Sequence, residues 1–393
     1  MQSYLKYIKN TLKYIIKMSR FILYLASLLF SSQLTLSSAF ECINDIGKPV
    51  DSWLIIKKPK GVEYFYYDSY DKLFNTSPIS LNNTLFGALT YTIKQLWNDD
   101  KKYKINYVIY NDQIPKLDTY YNDLYNDLYN DLYNDLLQED LATNYGHTKG
   151  LFAFDDINNN GFWITHSIPL FPLGPKQSNE YIGLGSNAFT YAQNALCLSV
   201  SANTINNMAS KFLLNRPQIY DYKLTKDTYK YEYEYENIKR LVDGEYSKVK
   251  LCESTYLETQ NGVKFTLYAK SAEWSNDLYS ECVTPSIEDT IWVETWIRGS
   301  AIGPSCPPSK YDTLDVKYLD FVINDISNSW SETQDHSKWA ITENRNIICM
   351  GDINRMTTQY SRGGGTACFE DETLHSLFKD ATIQTNECND NKI

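Results

Sequence analysis

The chain has 393 residues, 43% of them hydrophobic and 15% aromatic, with 37 Lys and Arg against 48 Asp and Glu for a net charge of −11. So apolar a composition excludes a disordered or fibrous chain. The first 39 residues hold five basic side chains and no acidic one, so the rest carries 32 positive against 48 negative charges, or −16, which disfavours a polyanion binder working at neutral pH.

In chain order, Lys6, Lys9, Lys13, Lys17 and Arg20 precede an apolar run, Phe21 to Phe30, and a small-residue stretch with Ser37 and Ala39 just before Phe40. Residues 1–39 therefore read as a secretory signal peptide, with Met18 as an alternative initiator. The apolar run is short for a membrane span, so no stable membrane association is expected after cleavage. Extended runs follow at Trp53–Ile56, Tyr64–Tyr67, Ile105–Tyr110, Leu151–Phe154, Phe162–Ile168, Phe265–Ala269 and Ile291–Trp296. Helix-like stretches lie at Ala188–Val200, Thr204–Leu214 and Val316–Ile326. Mixed elements of this kind predict an α/β (mixed α+β) sandwich.

Two segments stand apart. Residues 121–136 are four copies of Tyr-Asn-Asp-Leu, poor helix formers that read as a surface insertion. Tyr229–Glu236 (YKYEYEYE) alternates like a solvent-facing strand near the boundary between an N-terminal half, 40–230, and a C-terminal half, 231–393. Sequons at Asn75 and Asn82 fit glycosylation in the secretory pathway. Eight cysteines, Cys42, Cys197, Cys252, Cys282, Cys306, Cys349, Cys368 and Cys388, read as four disulfides whose pairing spacing alone does not choose. No CxxC pair occurs, so no zinc site, metal or cofactor is expected.

Two of the four histidines open the same triplet, His147-Thr148-Lys149 and His336-Ser337-Lys338, one in each half. On a strand, residues i and i+2 share a face, so each triplet presents an imidazole beside an ammonium. His166 follows Lys149 by 17 residues and Asn354 follows Lys338 by 16, as an internal duplication would leave them. Such a site suits phosphodiester cleavage without metal. One neutral imidazole attacks phosphorus, the other gives a proton to the leaving oxygen, and lysines and an amide hold the non-bridging oxygens. With both imidazoles near pH 6.5, the expected activity is bell-shaped and acidic.

The strings around these residues, GKPVDSWLIIKKP (47–59), YNDQ (110–113), GHTKG (146–150), GFWITHSIP (161–169), NDLYS (276–280), DHSKW (335–339), GDINR (351–355) and RGGGTAC (362–368), resemble the deoxyribonuclease II family of phospholipase D-like phosphodiesterases. The resemblance implies a phospholipase D-like pseudodimer, two sheet-and-helix sandwich halves sharing one central site. It implies an acid, metal-independent endonuclease that cuts double-stranded DNA to 3′-phosphate and 5′-hydroxyl ends and degrades engulfed or apoptotic DNA in the lysosome or as a secreted enzyme. DNA would be held by its backbone rather than read by base. Carried over residue by residue, His147, Lys149, His336 and Lys338 are catalytic, while His166, Asn354 and Arg362 support the phosphate. The resemblance also implies the pairs Cys42–Cys197, Cys306–Cys388 and Cys349–Cys368, leaving Cys252 with Cys282. The loop closed by Cys349–Cys368 would be worth about 3 kcal/mol in chain entropy. Asp155 and Glu343 stand near the place where the wider superfamily has a carboxylate that could orient a histidine. Two other readings remain at this level, a lipid phosphodiesterase and a secreted binding or toxin-like protein with a dead site.

Overall fold

Strand Ser52–Lys57 shows how these residues build the fold. Trp53 and Ile55 point into one buried cluster with Leu89 and Ile93, while Leu54 and Ile56 point into another with Phe212 and Trp339. Both faces are covered, so the strand reads as an unbroken apolar run. The structure is a computed structural model that describes residues 40–97, 105–116, 144–226, 228, 234–297 and 299–388; the expected signal peptide 1–39, the YNDL repeat and residues 229–233 of the YKYEYEYE run lie outside them.

The first part of the chain supplies β1 (Cys42–Ile43), β2 (Pro49–Val50), β3 (Ser52–Lys57), β4 (Tyr64–Asp68), β5 (Asn75–Thr76), β6 (Ile105–Asn111), β7 (Lys149–Asp155), β8 (Asn160–His166), β9 (Gln193–Val200) and β10 (Ile219–Lys223). The second supplies β11 (Cys252–Glu258), β12 (Lys264–Lys270), β13 (Ile291–Glu294), β14 (Thr313–Ile323), β15 (Ile326–Ser331), β16 (Trp339–Thr342), β17 (Ile347–Gly351), β18 (Gly364–Glu370) and β19 (Thr382–Thr385). Helices are α1 (Ala88–Lys94), α2 (Ala202–Asn215), α3 (Glu236–Val242), α4 (Thr284–Ile287) and α5 (Glu372–Ala381).

One sheet has the order β10-β6-β7-β8-β9-β3-β4-β5; the other runs β11-β12-β18-β17-β16-β13-β14-β15, with β19 pairing β14. The same five-strand unit lies inside both. Strands β3, β6, β7, β8 and β9 are followed by α2, and β12, β13, β16, β17 and β18 are followed by α5. Each set lies in the same spatial order with every neighbouring pair antiparallel. A Ser201 hydroxyl caps α2 at Thr204 N and an Asp371 carboxylate caps α5 at Leu374 N, which stops each preceding strand and starts its helix. Inner faces of both sheets share one core with Met208 and Phe212 of α2 and Leu374 and Phe378 of α5. Outer clusters cover each sheet separately. Residues Phe40–Ile393 form one compact unit.

Two expected helices are strands. Ala188–Val200 contains β9, whose Ala- and Leu-rich sequence favours helix locally but is buried on both faces in the middle of a sheet. Val316–Ile326 falls largely on β14, where Leu319, Phe321 and Ile323 alternate inward against exposed Val322. Thr204–Leu214 is helical within α2, and Glu236 begins α3 rather than ending a strand. The disulfides are Cys42–Cys197, Cys252–Cys282, Cys306–Cys388 and Cys349–Cys368. Asn75 is exposed, whereas Asn82 is half-buried and its Oδ1 accepts from Leu184 N at 2.6 Å.

Candidate active site

The two triplets occupy the same place in the two sheets. His147 and Thr148 lead into β7, which Lys149 opens, and Lys338 immediately precedes β16. Each histidine is anchored across the pseudo-symmetric boundary. His147 N donates to Gly363 O at 2.8 Å, one residue before β18, and His336 N donates to Ala192 O at 2.9 Å, one residue before β9. Lys338 N donates to the Asn194 side chain at 2.8 Å. Neither half can set its own histidine without the other.

Two glycines permit this. A Cβ on Gly146 would lie 1.9 Å from Asn215 O, and one on Gly363 would lie 2.2 Å from the same atom. Both chains pass directly over the last residue of α2, which only glycine allows.

Around His147 the charges converge on Asp112, a buried carboxylate just after β6. Lys149 Nζ makes a close ion pair with it, Arg362 Nη2 donates to it at 3.1 Å, and His147 Nε2 stands 3.6 Å away. Burial by itself would raise the Asp112 pKa, but Lys149, His147 and Arg362 together hold it well below the carboxylate range. Nδ1 of His147 lies 2.6 Å from Asp352 O. A carbonyl only accepts, so Nδ1 carries the hydrogen and the neutral ring keeps its lone pair on Nε2. Burial first, and then Lys149, push this imidazole well below its ordinary pKa, with Asp112 opposing.

His336 has different surroundings. Its ring lies on Tyr191 with centroids 3.9 Å apart and planes 8° from parallel, and Trp296 packs at 4.1 Å. Nearby Asp335 is pinned by Trp330 Nε1 and Ser337 N, both at 2.7 Å, and burial raises its pKa. Burial, then the charge of Lys149, lowers Lys338 to about 7. Burial raises Asp352 to about 7, although its carboxylate accepts from Gly365 N. Lys338 also acts on His147, so the two triplets share one electrostatic field.

The supporting residues are placed unequally. His166 ends β8, its Nδ1 accepts from Ile168 N at 3.1 Å, and burial and Lys149 lower it to about 3. Asn354 lies three residues beyond the end of β17, buried, its Oδ1 without a partner among the described residues. In the strand ladders the position of Thr165 opposite Gly150 matches Met350 opposite Trp339, so the counterpart of His166 is Gly351 rather than Asn354. Arg362 braces the loop, donating to Asp112, to Gly146 O at 3.1 Å and to Tyr145 O at 3.3 Å. Asp155 does not orient a histidine. Its oxygens accept from Ile157 N and Asn158 in the far hairpin turn, where the short loop needs them. Glu343 sits beyond the far end of β16, its backbone tied to Thr290 and Lys379. The carboxylate at the histidine is Asp112, whose only signal in the sequence was its place in the YNDQ string. Arg355 of GDINR is fully buried and holds Asp315 at 2.6 Å and Asp277 at 3.3 Å, fixing the loop that carries Asn354.

A duplicated α/β frame with a histidine–lysine pair in each half, one of them gathered with an arginine around a buried carboxylate, has the parts of a phosphodiester-cleaving hydrolase, and the chain's relatives make it a nuclease. A family model described as deoxyribonuclease II matches residues 41–388. A Burkholderia thailandensis protein is 32% identical over 83% of this chain and 88% of its own. Deoxyribonuclease-2 of Caenorhabditis elegans is 31% identical over 89% and 94%, and deoxyribonuclease-2-alpha of Sus scrofa 29% identical over 86% and 88%. The chain belongs to the deoxyribonuclease II family, and its function is that of a deoxyribonuclease.

Proposed function

We propose that the protein is an acid, metal-independent endonuclease of double-stranded DNA that works through a phosphohistidine on His147. The observation that carries this reading is the state of that ring. It is buried, hydrogen-bonded through Nδ1 and held well below its usual pKa, so Nε2 keeps its lone pair in acid, where an ordinary histidine is protonated. Nε2 attacks phosphorus, the N–P bond forms and the P–O5′ bond breaks as His336 donates its proton to the leaving oxygen. Asp112, 3.6 Å from Nε2, offsets the positive charge that the phosphorylated imidazole acquires. His336 then takes a proton from water, which attacks phosphorus and releases a 3′-phosphate end. Lys149, Lys338, His166 and Asn354 surround the non-bridging oxygens.

The acid preference follows from Lys338 and Asp352, both at about 7. Below neutrality Lys338 is charged and Asp352 neutral, and the site gains positive charge where the phosphate sits. This local change, more than titration of the surface, offsets the −16 of residues 40–393. No described helix is long and apolar enough to cross a membrane, and a disulfide-rich acid nuclease suits the lysosome or a secreted fluid, where it would degrade engulfed or apoptotic DNA.

The test is plasmid cleavage near pH 5 in excess EDTA, followed by an alkaline quench that preserves phosphohistidine. Wild type is expected to nick the plasmid and to carry the 3′-phosphoryl DNA strand covalently, and His147→Ala to do neither. Cleavage by wild type with an adduct retained in His147→Ala but lost in His336→Ala would invert the two roles; no cleavage at all would end the nuclease reading.

A further inference from the structure

Beside the catalytic loop lies a groove of about 580 Å³ lined by Asn144, Tyr145, Arg216, Ile219, Tyr222, Val242, Asp243, Gly244 and Tyr246. The three tyrosines are half-buried, so ring surface is presented to the groove. Tyr145 and Tyr246 meet edge to face at 6.3 Å, and the Arg216 guanidinium lies 5.9 Å from the centre of the Tyr246 ring. We propose that this groove is a subsite for one nucleobase, unstacked from the DNA beside the scissile phosphate. The proposal rests on the nuclease reading above and adds the part of the substrate that the groove takes.

The first support is continuity with the chemistry. Tyr145 is two residues before His147, a span of at most about 7 Å, comparable to one nucleotide of extended strand. Its carbonyl accepts from Arg362, which also holds Asp112 and Gly146 O. On the other wall, Arg216 O accepts from Gly146 N at 2.8 Å. One hydrogen-bonded loop therefore fixes both the imidazole and the groove.

The second support is chemistry. The volume is that of a small-molecule site, and aromatic rings with an arginine form the surface on which bases stack irrespective of sequence. Charge points to a base rather than a phosphate. Asp243 is exposed at the rim, and Arg216 Nη1 already faces Glu273 at 4.0 Å. Lys176 covers the Tyr222 ring at 4.6 Å and is paired with Asp221. Arg216 is held in the left-handed region at φ 56 where it ends α2.

The experiment uses a short duplex whose only natural phosphodiester is central, the rest being methylphosphonates. Three versions are compared: intact, and with an abasic tetrahydrofuran residue on the 5′ or on the 3′ side of the cut. Wild type is expected to lose about 5- to 150-fold in kcat/KM when the base on one of the two sides is removed, the range of base–aromatic stacking. In Tyr246→Leu, and separately in Tyr145→Ala, that ratio should collapse toward one while thermal unfolding shows a folded protein. If wild type cuts all three versions equally, or if both variants keep its ratio, the subsite does not exist. If wild type cuts none of them, nor plasmid, the nuclease reading has failed instead.

Discussion

His336 lies flat on Tyr191, ring centroids 3.9 Å apart and planes 8° from parallel, with Trp296 closing the other side at 4.1 Å. Among the described residues His147 has no such aromatic partner, and it sits among Lys149, Arg362 and Lys338, with Asp112 opposing them. The first residues of the two HxK triplets thus receive opposite surroundings. π-faces favour a cation and neighbouring cations oppose one.

Removing the π-faces should therefore cost His336 its proton. In Tyr191→Ala and Trp296→Ala, the alkaline limb of the kcat–pH profile should move to lower pH by about half a unit to one and a half, the equivalent of one cation–π contact. Tyr191→Phe should retain the wild-type limb. A merely structural role for Tyr191 would lower kcat at every pH without moving the limb, which steady-state rates across pH 4–8 distinguish.

Asp112 should be indispensable to both activity and fold. Asp112→Asn keeps shape but removes the charge opposite Lys149 and Arg362, and turnover should fall by about 100-fold or more. Asp112→Ala strands buried cations and should destabilise by about 3–5 kcal/mol in urea unfolding. The sign with pH follows from the depressed pKa. Its stabilisation is full above the unfolded carboxylate value near 4, declines as pH drops below that value, and is gone once pH has fallen through the lower folded value. The gap between wild type and Asp112→Ala should hold at pH 5 and narrow at pH 3.

The buried carboxyls should pull the stability of the fold toward acid. Asp352 is raised to about 7, and burial pushes the fully buried Glu294 well above its usual value. A raised carboxyl gives stability that is full below its unfolded pKa and lost as pH rises through the folded one. Lys338, lowered to about 7, contributes the other way, but only above that pH. His147 and His166, both lowered by burial, oppose this between pH 5 and about 6.5, so the expected outcome is a difference: Glu294→Gln should gain Tm relative to wild type as pH rises from 5 to 7. Asp352→Asn should also extend cleavage toward neutral pH. An equal slope in Glu294→Gln, followed by calorimetry, would remove Glu294 from this account.

Gly146→Ala should fail where most surface Gly-to-Ala changes are benign. Its Cβ would stand 1.9 Å from Asn215 O, and overpacking backbone against backbone costs about 3 kcal/mol or more. Chemical denaturation and loss of cleavage should fall together, because the same displacement moves His147.

Legibility varied with how local the signal was. The HxK triplets and the surrounding strings could be read because each is a short contiguous pattern. Ala, Leu and spaced apolar residues in β9 and β14 favour a helix locally, while their pairing into a sheet is a non-local fact. Nothing in a single aspartate such as Asp112, between β6 and a loop, tells which cations will surround it. Asp155 and Glu343 were suggested by counting along the chain, yet the hairpins carry both away from the histidines.

By itself, the sequence determined the mixed α/β class, the duplicated triplets, the family and a disulfide-bonded character, because these are properties of composition and contiguous pattern. Only the tertiary structure decided that Asp112 is the hub, that His147 is held neutral and that Tyr191 and Trp296 flank His336. The reason is physical: a pKa and a stacking contact depend on distance through space, and the groups that set them lie 35 to 205 residues apart in the chain, as the Asp112–His147 and His147–Asp352 contacts do.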